Sequence, residues 1–337
     1  MAASSSLAEP RPEALVDRHG RAVRYLRISV TDRCDLRCRY CMAEEMTFLP
    51  RSELLALEEI AIIAERFIAR GVTKVRLSGG EPLVRRDVLD LVERLGAHVG
   101  RGLDELVLTT NGTRLAEHAR RLHAAGVRRV NVSLDSLDPA TFRHITRHGD
   151  LDRVLHGAFA ARDAGLTVKI NTVALRGLND RELPDLLAWA AREGFDLTLI
   201  ETMPLGVVGD DRVGRFLPLT EAFNALSRRF ALERDPHRSG GPARYWRVDG
   251  GPTRLGLISP LTANFCDGCD RVRFTTDGKL FLCLGHDDQV DLKAALRSGG
   301  VAALDEAIDA GLSIKPARHD FRIGTPAVAR YMSATGG

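Results

Sequence analysis

The stretch RYLRISVTDRCDLRCRYCMAE, residues 24–44, joins a short β-branched run directly to a loop that carries three cysteines. The run is typical of a buried β-strand that ends where the loop begins. Cys34, Cys38 and Cys41 follow at the spacing C-x3-C-x2-C, which lets one loop supply three thiolates to a [4Fe-4S] cluster. One iron would then stay open to a substrate ligand. The alternative is a zinc ion completed by a remote His or Asp.

The composition narrows the class of protein. A chain of 337 residues with 44% hydrophobic residues can bury a large core, either as one barrel-sized domain or as a domain with an appendage. A net charge of +3 argues against a broad nucleic-acid-binding surface. Residues 1–20 lack an apolar core, and no apolar run is long enough to span a membrane. We therefore expect a cytoplasmic protein whose six cysteines serve metal binding or catalysis rather than disulfides.

The region after the first strand alternates β-branched runs with amphipathic helical stretches, which is the pattern of βα units around a parallel sheet. Two of the helical stretches are predicted to end at Gly71 and Gly126, because glycine favours the C-terminal cap. The predicted strands are RYLRISV (24–30), KVRLSG (74–79), ELVLTT (105–110), RVNVSL (129–134), TVKINTV (167–173) and DLTLIE (196–201).

Six βα units are fewer than the eight that close a barrel. The sequence therefore predicts an α/β fold, an incomplete (β/α)6 TIM-type barrel whose open side is covered by a C-terminal domain. The regular alternation lapses after about residue 216 into a stretch rich in Gly and Pro. The predicted division is a flexible N-terminal segment (1–22), the partial barrel (23–216) and a C-terminal domain (217–337).

A second group of three cysteines lies near the end of the chain. Cys266, Cys269 and Cys283 have the spacing C-x2-C-x13-C and are also one ligand short of a closed site. A zinc site completed by His286 is one reading, and a second open iron–sulfur cluster is the other. Arg271 and Arg273 alternate on the next predicted extended segment, so both point to one face. Their guanidinium groups suit triphosphate oxygens, although the pair could equally form a solvated basic edge.

Single cations interrupt three of the predicted strands. Arg27, Arg76 and Lys169 lie among apolar neighbours, where an unpaired charge is costly. An anion should therefore meet them. The bound anion could be a ligand, or an internal carboxylate such as Glu81 or Glu201.

The loop CDLRCRYC, residues 34–41, resembles the cluster loop of the radical S-adenosylmethionine (SAM) enzymes. SGGEP (78–82) is similar to the glycine-rich loop by which those enzymes receive the amino group of SAM. The wider set of motifs resembles the GTP 3′,8-cyclase family of molybdenum cofactor biosynthesis over about residues 23–337. The motifs that carry this resemblance are RLSGGEPLVRRD, TTNG (109–112), NVSLDSLD (131–138), VKINTV (168–173) and CDGCDRVRFTTDGKLFLCL (266–284).

The resemblance implies an activity and its cofactors. It implies a lyase that uses SAM as cosubstrate and two [4Fe-4S] clusters to convert GTP to (8S)-3′,8-cyclo-7,8-dihydroguanosine 5′-triphosphate. In that reaction a 5′-deoxyadenosyl radical takes the hydrogen from ribose C3′, and the resulting carbon radical adds to guanine C8. This is the first step of molybdenum cofactor biosynthesis.

The resemblance also assigns residues. Cluster 1 would be held by Cys34, Cys38 and Cys41, and cluster 2 by Cys266, Cys269 and Cys283. Arg271, Arg273, Gly336 and Gly337 would be catalytic, the two glycines through a tail that supports radical generation; a frayed terminus is the alternative. SAM would contact Tyr40, Gly80, Ser133 and Met203, although Tyr40 and Met203 could simply fill the core. GTP would contact Arg27, Arg76, Thr109, Lys169, Arg271, Val272 and Arg273.

Partners follow from the same resemblance. It implies a homodimer, an electron donor, and a downstream cyclic pyranopterin monophosphate synthase that acts on the product; no nucleic acid and no membrane are expected. One position departs from the family, because Thr198 stands where many members carry Arg. Arg212 or Arg215 is a possible substitute as a phosphate ligand.

Two other classes of protein stay open on the sequence. A radical SAM peptide maturase could use the same two cysteine groups, but would need more C-terminal cysteines and no cations at the strand ends. A zinc-dependent nucleic-acid or protein-binding module would need basic clusters with interleaved aromatic residues, and aromatics make up only 5% of this chain.

Overall fold

A computed structural model describes residues 14–209 and 211–336. All six predicted strands form, and each is followed by helical structure. The strands are β1 (Tyr25–Ser29), β2 (Lys74–Ser78), β3 (Glu105–Thr110), β4 (Arg129–Ser133), β5 (Thr167–Val173) and β6 (Asp196–Ile200). The helices between them are α1 (Leu57–Ala69), α2 (Val88–Gly96), α3 (Leu115–Ala124), α4 (Pro139–Thr146), α5 (Leu151–Asp163) and α6 (Leu183–Glu193).

The remainder of the chain adds short strands and helices. Its helices are α7 (Arg212–Arg215), α8 (Leu219–Leu226), α9 (Leu292–Ile314) and α10 (Met332–Thr335). Its strands are β7 (Leu232–Asp235), β8 (Arg244–Val248), β9 (Arg254–Ile258), β10 (Arg271–Phe274), β11 (Lys279–Phe281) and β12 (Gln289–Asp291).

These strands form one twelve-stranded sheet in the order β12-β11-β10-β1-β2-β3-β4-β5-β6-β9-β8-β7. β1 to β6 are parallel neighbours, which confirms the predicted α/β core of six βα units. β1 and β6 do not pair with each other in this order. Instead β10 pairs in parallel with β1 and β9 with β6, so the C-terminal part of the chain extends the core at both edges.

The two faces of each core strand differ in chemistry. In β1, Leu26 and Ile28 are fully buried against the helices, whereas Arg27 points to the opposite face because strand side chains alternate. α1 packs on the apolar side through residues such as Phe67. The predicted ends of α1 and α3 are confirmed, since Gly71 and Gly126 follow them with positive φ.

The polar face of the sheet curves around a cavity. A cavity of about 460 Å³ is lined at once by Tyr25 of β1, Lys74 of β2, Lys169 of β5 and Arg254 of β9. Strands at opposite edges of the core therefore face the same space. Because Tyr25, Lys74 and Arg254 begin their strands, this cavity lies at the amino-terminal ends of the strands.

Residues near the N-terminus are tied to the fold. Val16 and Ala22 form an antiparallel bridge, and Leu15 and Asp17 are buried. These residues belong to the segment that the sequence predicts to be flexible, but the division of the chain into domains stays a prediction. Among the described residues, no helix is both long and apolar enough to cross a membrane.

Candidate functional site

The first cysteine group lies where the sequence places it, in the loop that follows β1 at the carboxyl ends of the strands. The loop is fixed to α4, because the amides of Arg37 and Arg39 donate to the carbonyls of Thr146 and Ile145. All three cysteines are free and partly exposed, so they are available to a ligand.

The glycine-rich turn SGGEP packs directly on the start of this loop. The amide of Gly80 donates to the carbonyl of Thr31 at 2.8 Å, and that of Glu81 to the carbonyl of Arg33 at 2.8 Å. A Cβ added at Gly79 would overlap the Thr31 carbonyl oxygen, and one at Gly80 would overlap that of Arg33. Glycine is required here because two backbone segments come into contact.

A buried carboxylate fixes the same loop from the other side. The hydroxyl of Tyr40 donates to Asp135 Oδ2 at 2.8 Å, and the amide of Val173 donates to Asp135 Oδ1 at 2.8 Å. Burial raises the pKa of Asp135 to about 6, against the opposing effect of these two hydrogen bonds. Asp135 thus links the carboxyl ends of β4 and β5 to the cysteine loop.

The three thiols of the first cysteine group are the ligands that an iron–sulfur cluster uses. Burial raises the pKa of all three thiols, that of Cys41 to about 12, so a metal centre is needed to hold them as thiolates. In the part of the chain that the structure describes, no three His, Cys, Asp or Glu side chains stand close enough to chelate a single ion. An iron–sulfur cluster does not need its ligands so close together, because each thiolate binds a different iron atom.

The polar face of the sheet carries several cations, among them Arg27, Arg76, Lys169, Arg271 and Arg273. Arg27 lies in register with Arg76 on one side and Arg273 on the other. Burial, followed by the charge of Arg273, lowers the pKa of Arg27 well below its usual value. Burial likewise lowers the pKa of Arg273 to about 10, with Arg271 as the next cause, and that of Lys169, with Arg76 next. Burial and mutual repulsion both disfavour these charges, so an anion bound at this face would be stabilised.

The proposed internal carboxylates do not neutralise this face. Glu81 accepts hydrogen bonds from Leu83, Thr110 and Asn111, and Glu201 accepts from Leu219, Leu261 and Thr262. The alternative that Glu81 or Glu201 pairs with the strand cations is therefore wrong. Each of these carboxylates instead fixes loops at the carboxyl ends of the strands.

Tyr245 on β8 supplies the partner of Lys169. Lys169 Nζ donates to the Tyr245 hydroxyl at 3.0 Å, and that hydroxyl donates to Ser239 Oγ at 2.7 Å. The Ser239 carbonyl also accepts from Lys74 Nζ. Lys74 is also paired with Glu105, whereas Lys169 meets only neutral oxygens of the segment around Ser239 and Tyr245 at the amino-terminal ends of the strands.

The second cysteine group lies at the opposite end of the strands from the first. Cys269 directly precedes β10, which runs parallel to β1, and Cys283 follows β11, which returns antiparallel. Burial raises the pKa of Cys269, but Arg271 and Lys315 outweigh this effect and lower it overall. The inward-facing cations therefore lie between the two cysteine groups.

His286 has other partners than the second cysteine group. Its Nε2 lies 3.0 Å from the carbonyl oxygen of Arg318, and its ring contacts Asp288 and Asp320. The reading in which His286 completes a zinc site has no support from these contacts.

The C-terminal tail enters the space between the two cysteine groups. Gly336 accepts a hydrogen bond from Arg273 Nη1 at 3.1 Å, and a Cβ at Gly336 would overlap Ser78 Oγ. The backbone amide of Ser333, on α10, lies against the Cys41 thiol. Gly337, predicted to act with Gly336, lies outside the described residues.

The remaining residues predicted to contact SAM or GTP are Thr109, Val272, Ser133 and Met203. Thr109 accepts from Arg76 Nη1 at 3.0 Å on the cationic face. Val272 points its side chain into the apolar core, so only its peptide group shares the face of Arg271 and Arg273. Ser133 ends β4, and Met203 follows β6, both on the side of the first cysteine group.

Thr198 lies on the cationic face, fully buried, and its hydroxyl has no hydrogen-bond partner. Thr198 Oγ1 and Tyr245 Cε1 lie 2.7 and 2.9 Å from where a Cβ of Gly256 would be. Arg212 donates to the carbonyls of Leu205 and Gly206. These contacts tie Arg212 to the loop after β6, where it also lies near Cys41.

Several site residues were not predicted from the sequence. Asp135 could have been predicted, because it lies two residues after β4, at the carboxyl end of the strand, where functional residues of parallel β/α folds lie. Lys74 could also have been predicted, because it lies two residues before Arg76 on the same strand and so shares its face. Tyr245 and Lys315 had no such signal, since Tyr245 lies on a short strand beside a Gly- and Pro-rich stretch and Lys315 directly follows α9.

The fold and the two cysteine groups define a protein of the radical SAM superfamily. The family profile described as Radical SAM superfamily matches residues 28–190, and the profile Molybdenum Cofactor Synthesis C matches residues 195–321. Among solved structures, Streptococcus suis SuiB bound to S-adenosylmethionine is similar with a TM-score of 0.59 and 15% identity. That comparison covers 80% of this chain and 62% of the SuiB chain, and it supports the fold alone.

Relatives over the full length are much closer in sequence. The GTP 3′,8-cyclase of Erythrobacter litoralis is 57% identical over 96% of this chain and 98% of its own. The GTP 3′,8-cyclase of Rhizobium etli is 55% identical over 99% of this chain and 97% of its own. This protein therefore belongs to the GTP 3′,8-cyclase family of the radical SAM superfamily. As a radical SAM protein, it uses SAM and an iron–sulfur cluster.

Proposed function

We propose that this protein is a lyase that cyclises GTP to (8S)-3′,8-cyclo-7,8-dihydroguanosine 5′-triphosphate, the first step of molybdenum cofactor biosynthesis. Membership of the family supports the reaction, and the buried cations on the polar face of the sheet support GTP as the substrate. Within the described residues, Arg76, Lys169 and Arg273 have no carboxylate partner. A triphosphate supplies the negative charge that these buried cations lack.

The first cysteine group would hold a [4Fe-4S] cluster whose open iron binds SAM. When bound, this cofactor pair supplies the radical that attacks the substrate. The chain contributes orientation: Gly80 brings its turn against the loop, Asp135 fixes Tyr40, and Ser133 and Met203 flank the same end of the strands.

The second cysteine group would hold a second [4Fe-4S] cluster that binds the guanine base. Its thiols lie across the cationic face from the first group, so the base and the triphosphate can be held by different ends of one cavity. Arg271 precedes Arg273 on the strand that follows Cys269, and both point into the same space. This arrangement supports a role for both arginines in holding the triphosphate near the base.

The tail is proposed to support radical generation. Gly336 is bound to Arg273, and α10 lies against β1 and the Cys41 thiol. Gly336 therefore lies between the proposed triphosphate site and the first cysteine group, and we propose that Gly337 acts with it. The absence of side chains lets this segment fit against Ser78.

The proposed partners follow from the same reaction. Reduction of the first cluster needs an external electron donor, and the cyclic product needs a second enzyme, a cyclic pyranopterin monophosphate synthase. A homodimer is proposed from the family resemblance alone.

The test is an anaerobic single-turnover assay with both clusters reconstituted, SAM, a reductant, and GTP deuterated at ribose C3′. Transfer of deuterium to 5′-deoxyadenosine is the expected result. A parallel reaction with unlabelled GTP is the control for the isotope.

Two results would contradict the proposal at different levels. Formation of 5′-deoxyadenosine without deuterium would remove GTP as the substrate while keeping radical SAM chemistry, and would favour a peptide substrate. Absence of 5′-deoxyadenosine from protein that carries both clusters would remove the activity itself.

A further inference from the structure

Lys315 is a buried cation beside the second cysteine group. It follows α9 directly, and only 1% of its surface is exposed. Its Nζ lies 3.6 Å from Cys269 Sγ, within reach of a weak N–H···S hydrogen bond. Full burial of a lysine is uncommon, because its ammonium loses its hydration.

The charge of Lys315 is offset only in part, by the nearby Asp270 carboxyl, whose pKa it lowers against the larger effect of burial. In the part of the chain that the structure describes, Lys315 has no ion pair with Asp or Glu, and its Nζ donates to the Cys269 sulfur. Arg271 approaches the same sulfur, at 4.0 Å from its Nη2. Two cations facing one sulfur imply that the sulfur carries negative charge in the working protein.

Arg21 fixes Lys315 relative to the cysteine loop. Its Nη1 donates to the carbonyls of Cys266 at 3.0 Å and Ala317 at 2.7 Å, and its Nη2 donates to that of Pro316 at 2.7 Å. Asp17 holds the guanidinium in place at 2.7 Å from Nε. The segment after Lys315 and the loop of Cys266 are thus joined by one side chain, so the backbone next to Lys315 is held beside the cysteine loop.

We propose that Lys315 is a positioning residue for the second cluster, holding the Cys269 thiolate by its charge and raising the reduction potential of the cluster. This inference rests on the proposed second cluster. Hydrogen bonds and positive charge near a cluster sulfur favour the state with the extra electron, and burial strengthens both effects. A cluster that keeps its thiolate under this charge also releases iron more slowly.

The experiment uses full-length protein in which Cys34, Cys38 and Cys41 are replaced by serine, so that all bound iron belongs to the second group. In this background we compare K315M, K315R and K293M. Lys293 lies at the start of α9, at the opposite end from Lys315, and its Nζ donates to the carbonyl of Glu53 at 2.8 Å, so K293M is the control. The measurements are iron and sulfide content, the midpoint potential, and the rate of iron loss to a chelator.

We expect K315M to have a lower midpoint potential and about tenfold faster iron loss than K293M, and K315R to stay close to the parent, because it keeps the charge. Equal potentials in K315M and K293M would overturn the inference. Equal losses in K315M and K315R would also overturn it, since packing rather than charge would then be the cause. If the parent background binds no iron–sulfur cluster at all, the proposed second cluster fails, and this inference fails with it. If K315M does not fold, K315Q replaces it and K315R decides the role of the charge.

Discussion

The carbonyl oxygen of Gly336 accepts a hydrogen bond from Nη1 of Arg273 at 3.1 Å. Arg273 is also the register partner of Arg27, so the end of the chain is attached to the cationic face of the sheet. The tail therefore shares this side chain with the proposed triphosphate site. Because binding of an anion would draw on the same guanidinium, the position of the tail and the binding of GTP should be coupled.

Arg273→Met should weaken GTP binding without destabilising the protein. Loss of a charge-assisted hydrogen bond costs about 1.5–3 kcal/mol, which corresponds to about 10- to 100-fold in affinity. The free energy of unfolding without nucleotide should not fall, because Arg273 is buried beside Arg271 and its charge is unfavourable there. Calorimetric titration with GTP and chemical denaturation measure the two effects. R120M, at an exposed position of α3, is the control, and equal affinities in the two variants would contradict the prediction.

Gly80→Ala should disrupt the first cysteine loop. The added Cβ overlaps the Arg33 carbonyl oxygen, so the backbone must shift at a cost of about 1–3 kcal/mol. We expect less iron in the first cluster and a lower free energy of unfolding. At Gly241 the nearest atom to an added Cβ is 3.6 Å away, so G241A serves as the control. Full iron content in G80A would show that the turn does not fix the loop.

Asp135→Asn should alter the pH dependence of stability. The pKa of Asp135 is about 6 in the fold and 3.8 as its ordinary value, so between these pH values the folded state holds a proton that the unfolded state has lost. Stability from this group is therefore lost as pH rises from about 4 to 6, on the order of 3 kcal/mol in total. In D135N that part of the slope should vanish.

Denaturation of the cluster-free protein at a series of pH values measures the slope of Asp135. The asparagine keeps partners for both Val173 and Tyr40, so the comparison isolates the charge. D152N, at an exposed position of α5, should keep the parental slope. An unchanged slope in D135N would rule out this carboxyl as its source.

Substitutions of Thr198 should change the stability of the protein differently in the absence and in the presence of GTP. Thr198→Val removes a buried hydroxyl that has no hydrogen-bond partner, so it should be neutral or stabilising by about 1 kcal/mol. Thr198→Arg introduces the arginine that the sequence resemblance predicts at this position, but it crowds the space around Gly256 and adds a buried cation, so it should lower stability without nucleotide. Thermal unfolding of both variants with and without GTP measures this. A T198R protein as stable as the parent without GTP would contradict the crowding argument.

The strands of the core could be predicted because their side chains alternate between two environments. Leu26 and Ile28 face helices while Arg27 does not, and this period of two is visible in the chain. The first cysteine loop could be predicted because its ligands are local in sequence. The glycines of SGGEP were predicted to approach a ligand, and the structure adds that they approach the cysteine loop itself.

Long-range contacts could not be predicted in the same way. Lys315 and Tyr245 could not be predicted as site residues, because contacts with residues far away in the sequence place the end of α9 and the short strand β8. The choice of partner for Glu81 was also open, since a buried carboxylate can be satisfied by a cation or by backbone amides. The structure decided for the amides.

The six βα units, both cysteine groups and the cations on the strands can be read from the amino-acid sequence, because each depends on spacing along a short stretch of chain. The placement of the two cysteine groups at opposite ends of the strands, with the cations between them, depends on how the chain folds. It arises because β10 pairs in parallel with β1, 246 residues apart at Tyr25 and Arg271, and hydrogen bonds between such distant segments have no signature in either sequence.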